Sequence, residues 1–315
     1  CGLRYWEGGF VWAGFDAGGD GGHQYFNPGW NVSERDEDSQ LNKMMKKMEK
    51  KQTVCMFCYR GEEEVILMSV DTLRRRMPYA NIHIFDDAGD PLPAHIVESL
   101  RRSAGVHYHV TGFARGRNLN GKAAVCGVLD SLLAAAREDG NEEGYVIKTD
   151  PDTLFLRPDE YLAMMESGCA WMTHPVVDRF FSGMFYALSV KYLPQISANA
   201  HLMEMPEDAH EDSVVGSLAN IAVHNSPDGF HWFNVWNERH RHRFCSFDPH
   251  RMDEREYVRY CARYAHILTV GNTGVAGLPQ AYRVKMMRDV LDEFYKIEQS
   301  ASGFMKEEEL ERKRE

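Results

Sequence analysis

Two aspartates separated by one residue carry the strongest chemical signal in this chain. They lie in the segment Asp150-Pro151-Asp152, directly after an apolar stretch of strand length, 144–149. Ligands of open α/β sheets bind outside the carboxyl ends of strands, and Mg²⁺ and Mn²⁺ prefer carboxylate and phosphate oxygens. The pattern therefore favours a divalent cation on Asp152 that offsets a bound diphosphate, with Asp150 on the metal or on a ribose. An Asx turn that ends the strand is the alternative.

Two further acidic groups are candidates for the same site. Asp86 and Asp87 end a predicted strand, where a carboxylate can accept hydrogen bonds from a base or from ribose hydroxyls. Asp212 begins a predicted helix and is our first candidate for a general base acting on an acceptor hydroxyl, with Glu211 the second. The alternatives are a strand-ending turn for the first pair and a helix cap for the second.

Basic and amide side chains flank the start of a long predicted helix. Arg117, Asn118 and Lys122, together with the free helix amides, are placed to meet phosphate, or else they form a solvated loop. The chain has 14 histidines, and those after residue 200 are candidate metal ligands. Their spacing does not form a zinc signature.

Strand-length and helix-length segments alternate through the middle of the chain, which predicts βαβ units and a mostly parallel sheet. The strands are predicted at 53–59, 81–85, 106–110, 144–149, 169–173, 184–188 and 267–270, and the helices at 62–77, 93–103, 121–137, 158–166, 213–222 and 282–299. We therefore expect one α/β domain over 53–300, an appended and partly helical segment over 1–52, and a charged, solvated tail over 301–315.

Composition narrows the classes of function. The 315 residues are 43% hydrophobic and carry a formal net charge of −11, so a large core is expected and a nucleic-acid partner is disfavoured. Seven cysteines, several of them in apolar runs, predict reduced core thiols. No apolar run reaches transmembrane length, so we expect no membrane-spanning helix and a cytoplasmic protein. The start at Cys1 is compatible with removal of a leader.

These motifs, in this order, resemble the GT-A fold glycosyltransferases over residues 53–270. The resembling parts are the first strand ending at Arg60, Phe85-Asp86-Asp87, the loop and helix from Arg117 to Ala124, the DxD motif Asp150-Pro151-Asp152, the glycine loop Ser182-Gly183-Met184-Phe185, and the xED motif His210-Glu211-Asp212. The resemblance implies a single Rossmann-like domain that binds the nucleotide through Arg60, Asp86, Asp87, Arg117, Asn118, Lys122, Asp150 and Gly183. It also implies a C-terminal metal-binding histidine, for which His266 is our first choice and His231 the second.

The implied reaction transfers a sugar from a nucleoside diphosphate sugar, by default a UDP-sugar, to a hydroxyl of a glycan or other acceptor. Mn²⁺ or Mg²⁺ on Asp150, Asp152 and His266 would neutralise the leaving diphosphate, and Asp212 would deprotonate the acceptor and give inversion. In a retaining enzyme Asp212 would only orient the acceptor. The other interpretations are a non-catalytic binding module on the same fold and a nucleotidyltransferase, which the acidic loop Glu62-Glu63-Glu64 disfavours. A dinucleotide-binding glycine motif is absent from the sequence.

Overall fold

The computed structural model describes residues 52–113, 119–166, 170–173, 183–224, 253–270 and 279–312, and four short strands outside these ranges. The chain divides into two compact units, residues 1–50 and 51–315. In the first unit, β1 (Arg4–Trp6) and β2 (Gly9–Val11) pair antiparallel. Of the appended, partly helical segment expected over 1–52, only β1, β2 and Gln52 are described, and Gln52 belongs to a strand, so the expected helix lies outside the described residues.

The second unit contains the remaining described elements. In chain order they are β3 (Gln52–Cys58), α1 (Glu63–Arg76), β4 (Asn81–Asp86), α2 (Ala94–Arg102), β5 (Val106–Val110), α3 (Gly121–Glu138), β6 (Tyr145–Thr149), β7 (Thr153–Phe155), α4 (Asp159–Glu166), β8 (Trp171–Thr173), β9 (Phe185–Ser189), α5 (Leu193–Leu202), α6 (Glu211–His224), β10 (Phe233–Asn234), β11 (Phe244–Ser246), α7 (Glu254–Tyr264), β12 (Ile267–Thr269) and α8 (Gln280–Arg312).

A seven-stranded sheet with the order β10-β8-β9-β6-β3-β4-β5 forms the centre of this unit. The strands β6, β3, β4 and β5 run parallel to one another, whereas β9 is antiparallel to both of its neighbours. Helices follow β3, β4 and β5, as parallel connections require. The expected fold class, an α/β domain with a mostly parallel central sheet flanked by helices, is confirmed.

The two faces of the sheet are covered by different helices. Because side chains alternate along a strand, Val54 and Met56 of β3 point to one face, where they share a core with residues of α1, α2 and α4. Phe57 points to the other face and stacks on Phe85 of β4. The central strands β3 and β6 are almost completely buried, which explains why both appear in the sequence as continuous apolar runs.

A three-stranded sheet with the order β11-β12-β7 adjoins the helices α1, α7 and α8. The strand β7 and the helices α5 and α7 were not expected from the sequence. Helix α7 is strongly charged, and its start is set by Asp253, whose side chain accepts hydrogen bonds from the backbone amides of Arg255 and Glu256. Helix α8 continues to Arg312, so most of the segment 301–315, expected as a separate tail, belongs to this helix. The segment is rich in Glu, Lys and Arg, which are good helix formers.

Two further expectations concern the cysteines and membrane-spanning helices. Cys55, Cys58, Cys126 and Cys261 are buried, as predicted for core cysteines. Among the described residues, no helix is both long enough and apolar enough to cross a membrane.

Close packing of α3 on the sheet leads to a first prediction. A Cβ atom at Gly127 would lie 2.2 Å from Cδ1 of Phe113, whereas one at Gly112 would meet nothing within 4 Å. Ala normally favours a helix over Gly by about 1 kcal/mol, but overpacking costs about 1–3 kcal/mol. We expect Gly127→Ala to lower the free energy of unfolding and Gly112→Ala to change it little, as measured by urea denaturation. A stabilised Gly127→Ala variant would contradict the packing described here.

Candidate active site

A buried lysine organises the carboxyl end of β6. The side chain of Lys148 is 3% exposed, and its Nζ lies 3.1 Å from Oδ1 of Asp150. The same ammonium donates to the backbone carbonyl of Gly183 and faces the ring of Tyr186 at 6.0 Å. A buried ammonium without acceptors would be strongly unfavourable, so Lys148 draws the Asp150 loop and the loop before β9 together.

Gly183 connects this pair to the start of α6. Its backbone amide donates to Oδ2 of Asp212 over 3.1 Å, and the Asp212 Oδ1 accepts from the amide of Ser213 at 2.7 Å. A Cβ atom at Gly183 would lie 3.3 Å from Asp212 Oδ2, so the carboxylate packs closely against this loop. The structure thus brings together three of the predicted site residues, Asp150, Gly183 and Asp212, although they are far apart in the sequence.

Glu211 lies under the same loop, and it is almost completely buried. It accepts a hydrogen bond from the hydroxyl of Tyr186. Burial raises the pKa of Glu211 to about 7, and the neighbouring charges of Asp212 and Asp150 act in the same direction, while Lys148 opposes them. The carboxyl group is therefore close to half-protonated near neutral pH, and its charge changes in the range where enzymes usually work.

Asp152 has a different environment from Asp150. Its side chain is 3% exposed and its Oδ2 lies 2.9 Å from Nη1 of Arg283 on α8; Asp150, by contrast, is 27% exposed at its side chain. Burial and the charge of Asp150 raise the pKa of Asp152, and the Arg283 guanidinium opposes them. Glu62, at the end of the β3–α1 loop, lies 3.8 Å from the same Nη1. Arg283 therefore pairs with two buried carboxylates, Asp152 and Glu62, whereas Asp150 is the more accessible carboxylate.

The N-termini of α3 and α6 meet beside these carboxylates. The Gly121 amide donates to the carbonyl of Ala209 over 2.9 Å, and Asn120 forms an isolated antiparallel bridge with His210. The φ angle of +81° at Gly121 is one that glycine adopts most readily. Lys122 is exposed in the first turn of α3. The predicted phosphate ligands Arg117 and Asn118 lie outside the described residues.

The predicted nucleotide-binding acids have contacts within the protein. Asp86 is fully buried and accepts hydrogen bonds from the amide of Leu92, at 2.9 Å from Oδ2, and from the hydroxyl of Tyr108. Asp87 accepts a hydrogen bond from the Gly89 amide over 2.8 Å. These bonds fold the loop after β4, so turn formation, the alternative interpretation, accounts for the contacts of both aspartates.

Arg60 is an exposed residue at the rim of the same loop. Its Nε lies 3.4 Å from Oδ1 of Asp90, and its side chain is 62% exposed. The Nε also donates to the carbonyl of Pro91 over 3.3 Å. The pair is solvated and therefore weakly held, so the guanidinium is free to exchange this partner for a ligand anion.

The predicted metal ligand His266 is not brought to the two aspartates. Strands β7 and β12 pair antiparallel. The Val270 amide donates to the carbonyl of Asp152, and the Leu156 amide donates to the carbonyl of His266. His266 therefore stands beside Leu156, four residues beyond Asp152. At about 3.3 Å per strand residue, its backbone lies roughly 13 Å from that of Asp152. His231, the second choice, lies outside the described residues.

Four residues of this site were not given a site role from the sequence: Lys148, Tyr186, Arg283 and Glu62. The signal for Lys148 was present, because a lysine inside a buried parallel strand requires a buried partner. Arg283 lies more than a hundred residues from Asp152 and has no local motif. Only the tertiary packing of α8 brings these two side chains into contact.

Comparisons with known proteins give likeness in structure alone. No protein-family model matches the chain, and no curated protein sequence matches it. Similar solved structures include mannosyltransferase PcManGT from Pyrobaculum calidifontis in complex with GDP-Man and Mn²⁺, at 15% identity over 68% of this chain and 61% of that one, with a TM-score of 0.38. Mouse xyloside xylosyltransferase 1 matches at 11% identity over 72% and 100%, with a TM-score of 0.41.

The glycosyltransferase GlyE of Streptococcus pneumoniae TIGR4 matches at 11% identity over 79% of this chain and 64% of its own, with a TM-score of 0.42. The matched regions thus span less than two thirds of the mannosyltransferase and GlyE chains. All three solved structures are glycosyltransferases, the class of protein that the sequence resembles. At these identities and TM-scores, the likeness carries no argument about substrate or metal.

The buried Glu211 carboxyl predicts a pH-dependent stability. Because its pKa is about 7 in the folded chain against 4.5 as the ordinary value, the unfolded chain ionises first as pH rises. The protonated carboxyl group makes its full contribution to the free energy of unfolding below about pH 4.5, and this contribution is lost progressively up to about pH 7. We expect Glu211→Gln to gain stability relative to the wild type across this window, by up to about 3 kcal/mol, in denaturant unfolding at several pH values. The exposed Glu207→Gln serves as the control, and a pH-independent difference for Glu211→Gln would contradict the assignment.

Proposed function

We propose that this chain is a metal-dependent glycosyltransferase that moves a sugar from a nucleoside diphosphate sugar to an acceptor hydroxyl. The observation that carries the proposal is the convergence of Asp150, Gly183 and Asp212 around Lys148 at the carboxyl end of the parallel strands. This end of an open α/β sheet is where ligands bind. Three groups thus lie together: the Asp150 carboxylate, which suits a metal ion, the backbone at Gly183, and the Asp212 carboxylate, which suits a general base.

A divalent cation fits the charges of this region. The carboxylates of Glu62, Asp150, Asp152, Glu211 and Asp212 surround only two described cationic side chains, Lys148 and Arg283. Full ionisation would leave a net negative charge. Burial raises the pKa of Asp152 and of Glu211, and the neighbouring carboxylates raise both further. A bound Mn²⁺ or Mg²⁺ would supply Lewis-acid neutralisation of the leaving diphosphate. Asp150 is the more accessible of the two proposed metal ligands. Asp152 would bind the cation in place of its ion pair with Arg283.

Hydrogen-bond donors for a diphosphate lie next to these carboxylates. The first turns of α3 and α6 lie side by side, and backbone amides at helix N-termini attract phosphate. Lys122 in the first turn of α3 and Arg60 across the sheet edge add exposed positive charge. We assign both to the donor phosphates. A UDP-sugar is the default donor, and a glycan or another hydroxyl compound is the acceptor.

Asp212 is assigned as the general base that deprotonates the acceptor hydroxyl. Its carboxylate is only partly buried, and the Gly183 and Ser213 amides hold it in position. Glu211 is a positioning residue, because its carboxyl group is buried against Tyr186 and faces away from solvent. A base on the acceptor side predicts inversion at the anomeric carbon.

Binding of the nucleotide is tested by thermal melting with UDP, GDP, ADP and CDP, each with and without Mn²⁺. A ligand that binds only the folded state raises Tm by mass action, equivalent to about 2.7 kcal/mol at one hundred times Kd. We expect one nucleotide to raise Tm only when Mn²⁺ is present, and Asp150→Asn to remove that shift. Asp71→Asn, at an exposed aspartate of α1 outside the proposed site, is the matched control. If no nucleotide changes Tm under either condition, the proposed donor site is absent.

The base assignment is tested separately from donor binding. Asp212→Asn keeps a side-chain acceptor for one of the two neighbouring amides but cannot take up the hydroxyl proton. We expect turnover to fall by about 10²–10⁴-fold, while the metal-dependent nucleotide shift in Tm persists. Steady-state kinetics with the donor identified by melting would measure this. Turnover of Asp212→Asn equal to that of Glu207→Gln would eliminate Asp212 as the base, and a transfer-inactive wild type that still binds donor would favour a non-catalytic binding module.

A further inference from the structure

Three histidines and two carboxylates meet at the β5 edge of the sheet, on the same face as Lys148 but away from Asp150. His83 lies on β4, His107 and His109 lie on the edge strand β5, and Glu138 and Asp139 lie at the end of α3. We call these five residues the edge histidine cluster. Paired strands set their arrangement, since His83 stands opposite His107 in the β4–β5 ladder and His109 follows two residues later on the same face.

Three atoms of the cluster form a triangle of the size that a metal ion requires. His83 Nδ1 lies 2.9 Å from His109 Nε2 and 4.0 Å from Glu138 Oε2. His109 Nε2 lies 3.8 Å from the same Glu138 oxygen. A point equidistant from three such atoms lies about 2.1 Å from each, which is the usual length of Zn–N and Zn–O bonds.

The inner histidine is held in the orientation that a metal ligand needs. His83 is fully buried, and its Nε2 lies 3.0 Å from Oδ1 of Asp139. The hydroxyl of Thr53 donates to Oδ2 of the same carboxylate over 2.5 Å. The hydrogen bond from His83 to Asp139 places the His83 proton on Nε2 and leaves the Nδ1 lone pair available, as in carboxylate–histidine–metal sites.

The outer two ligands are oriented and reachable from solvent. His107 Nδ1 lies 2.8 Å from Oε1 of Glu138, so the second carboxylate oxygen faces His83 and His109. The side chains of His109 and Glu138 are 30% and 45% exposed. A cation can therefore enter the cluster from the edge of the sheet without passing through the core.

We propose that His83 Nδ1, His109 Nε2 and Glu138 Oε2 form a binding site for a late first-row divalent cation, with Zn²⁺ as the favoured occupant. Imidazole ligands select Zn²⁺ and its neighbours over Mg²⁺ and Mn²⁺, which prefer oxygen. Three protein ligands leave one position for water or an exchangeable ligand.

Binding requires one small rearrangement in the cluster. Because His83 donates through Nε2, the short contact between the two histidines is a hydrogen bond from His109 Nε2 to His83 Nδ1. His109 must move this proton to its own Nδ1, which a neutral imidazole does without a change in charge.

This site is separate from the proposed donor site and does not depend on it. Lys148 on β6 and His83 on β4 both pair with Cys55 of β3, so two strand spacings, about 10 Å, lie between them. Occupancy would fasten the edge strand β5 to the end of α3. The inference therefore concerns a second cation, of different ligand chemistry from the cation assigned to Asp150.

Titration of the metal-stripped full chain with Zn²⁺, in competition with a chromophoric indicator, tests the proposal. We expect one Zn²⁺ per chain with a Kd in the micromolar range or tighter. His109→Asn and Glu138→Gln are expected to weaken binding at least about tenfold. His95→Asn, at an exposed histidine of α2, and Asp150→Asn are the controls and should bind Zn²⁺ as the wild type does. Co²⁺ should give visible absorption typical of low coordination number in the wild type and lose it in His109→Asn.

Three results would overturn the assignment. One is wild-type affinity for Zn²⁺ in both His109→Asn and Glu138→Gln, provided that circular dichroism shows both to be folded. Another is loss of binding in Asp150→Asn, which would place the zinc at the donor site. The third is a loss confined to His107→Asn, which would favour the neighbouring set His83, His107 and Asp139.

Discussion

A buried ammonium group requires acceptors and negative charge, and Lys148 imposes this requirement at the point where β6 ends. Its side chain satisfies the requirement with Asp150 and the carbonyl of Gly183, and its charge offsets that of buried Glu211. The three partners come from three separate parts of the chain. Removal of the ammonium would leave like-charged carboxylates close together without compensation, so the carboxyl end of the sheet depends on this one residue.

The sheet places the two proposed sites on one face. Tyr186, Lys148, Cys55, His83 and His107 stand opposite one another across five strands, and partners in a ladder point to the same side. Hydrophobic residues dominate the other face, where α1 and α2 pack. The register therefore gathers polar groups on this face. Tyr186, His83 and His107 find partners at the ends of α3 and α6, whereas Lys148 pairs with the Asp150 and Gly183 loops.

Local patterns predicted the parallel part of the fold well. The apolar run at β6 has the length of a strand and α3 has a helical period, so both types were predicted, and the paired aspartates follow directly after the end of β6. Long-range contacts were not predictable in this way. Arg283 reaches Asp152 only because α8 packs beside α1. The alternating His107-Tyr108-His109 was a usable signal for the edge histidine cluster, but its partners His83 and Asp139 depend on strand order.

The central claim is that this site transfers a sugar from a nucleotide donor with the help of a divalent cation. Its most direct test is the release of nucleoside diphosphate from a panel of nucleotide sugars, with water or simple glycans as acceptors, in Mn²⁺ and again in excess chelator. The account predicts release from one class of donor that stops with chelator, returns with Mn²⁺, and is absent in Asp150→Asn. Release that continues unchanged in chelator, or no release from any donor by folded protein, would contradict it.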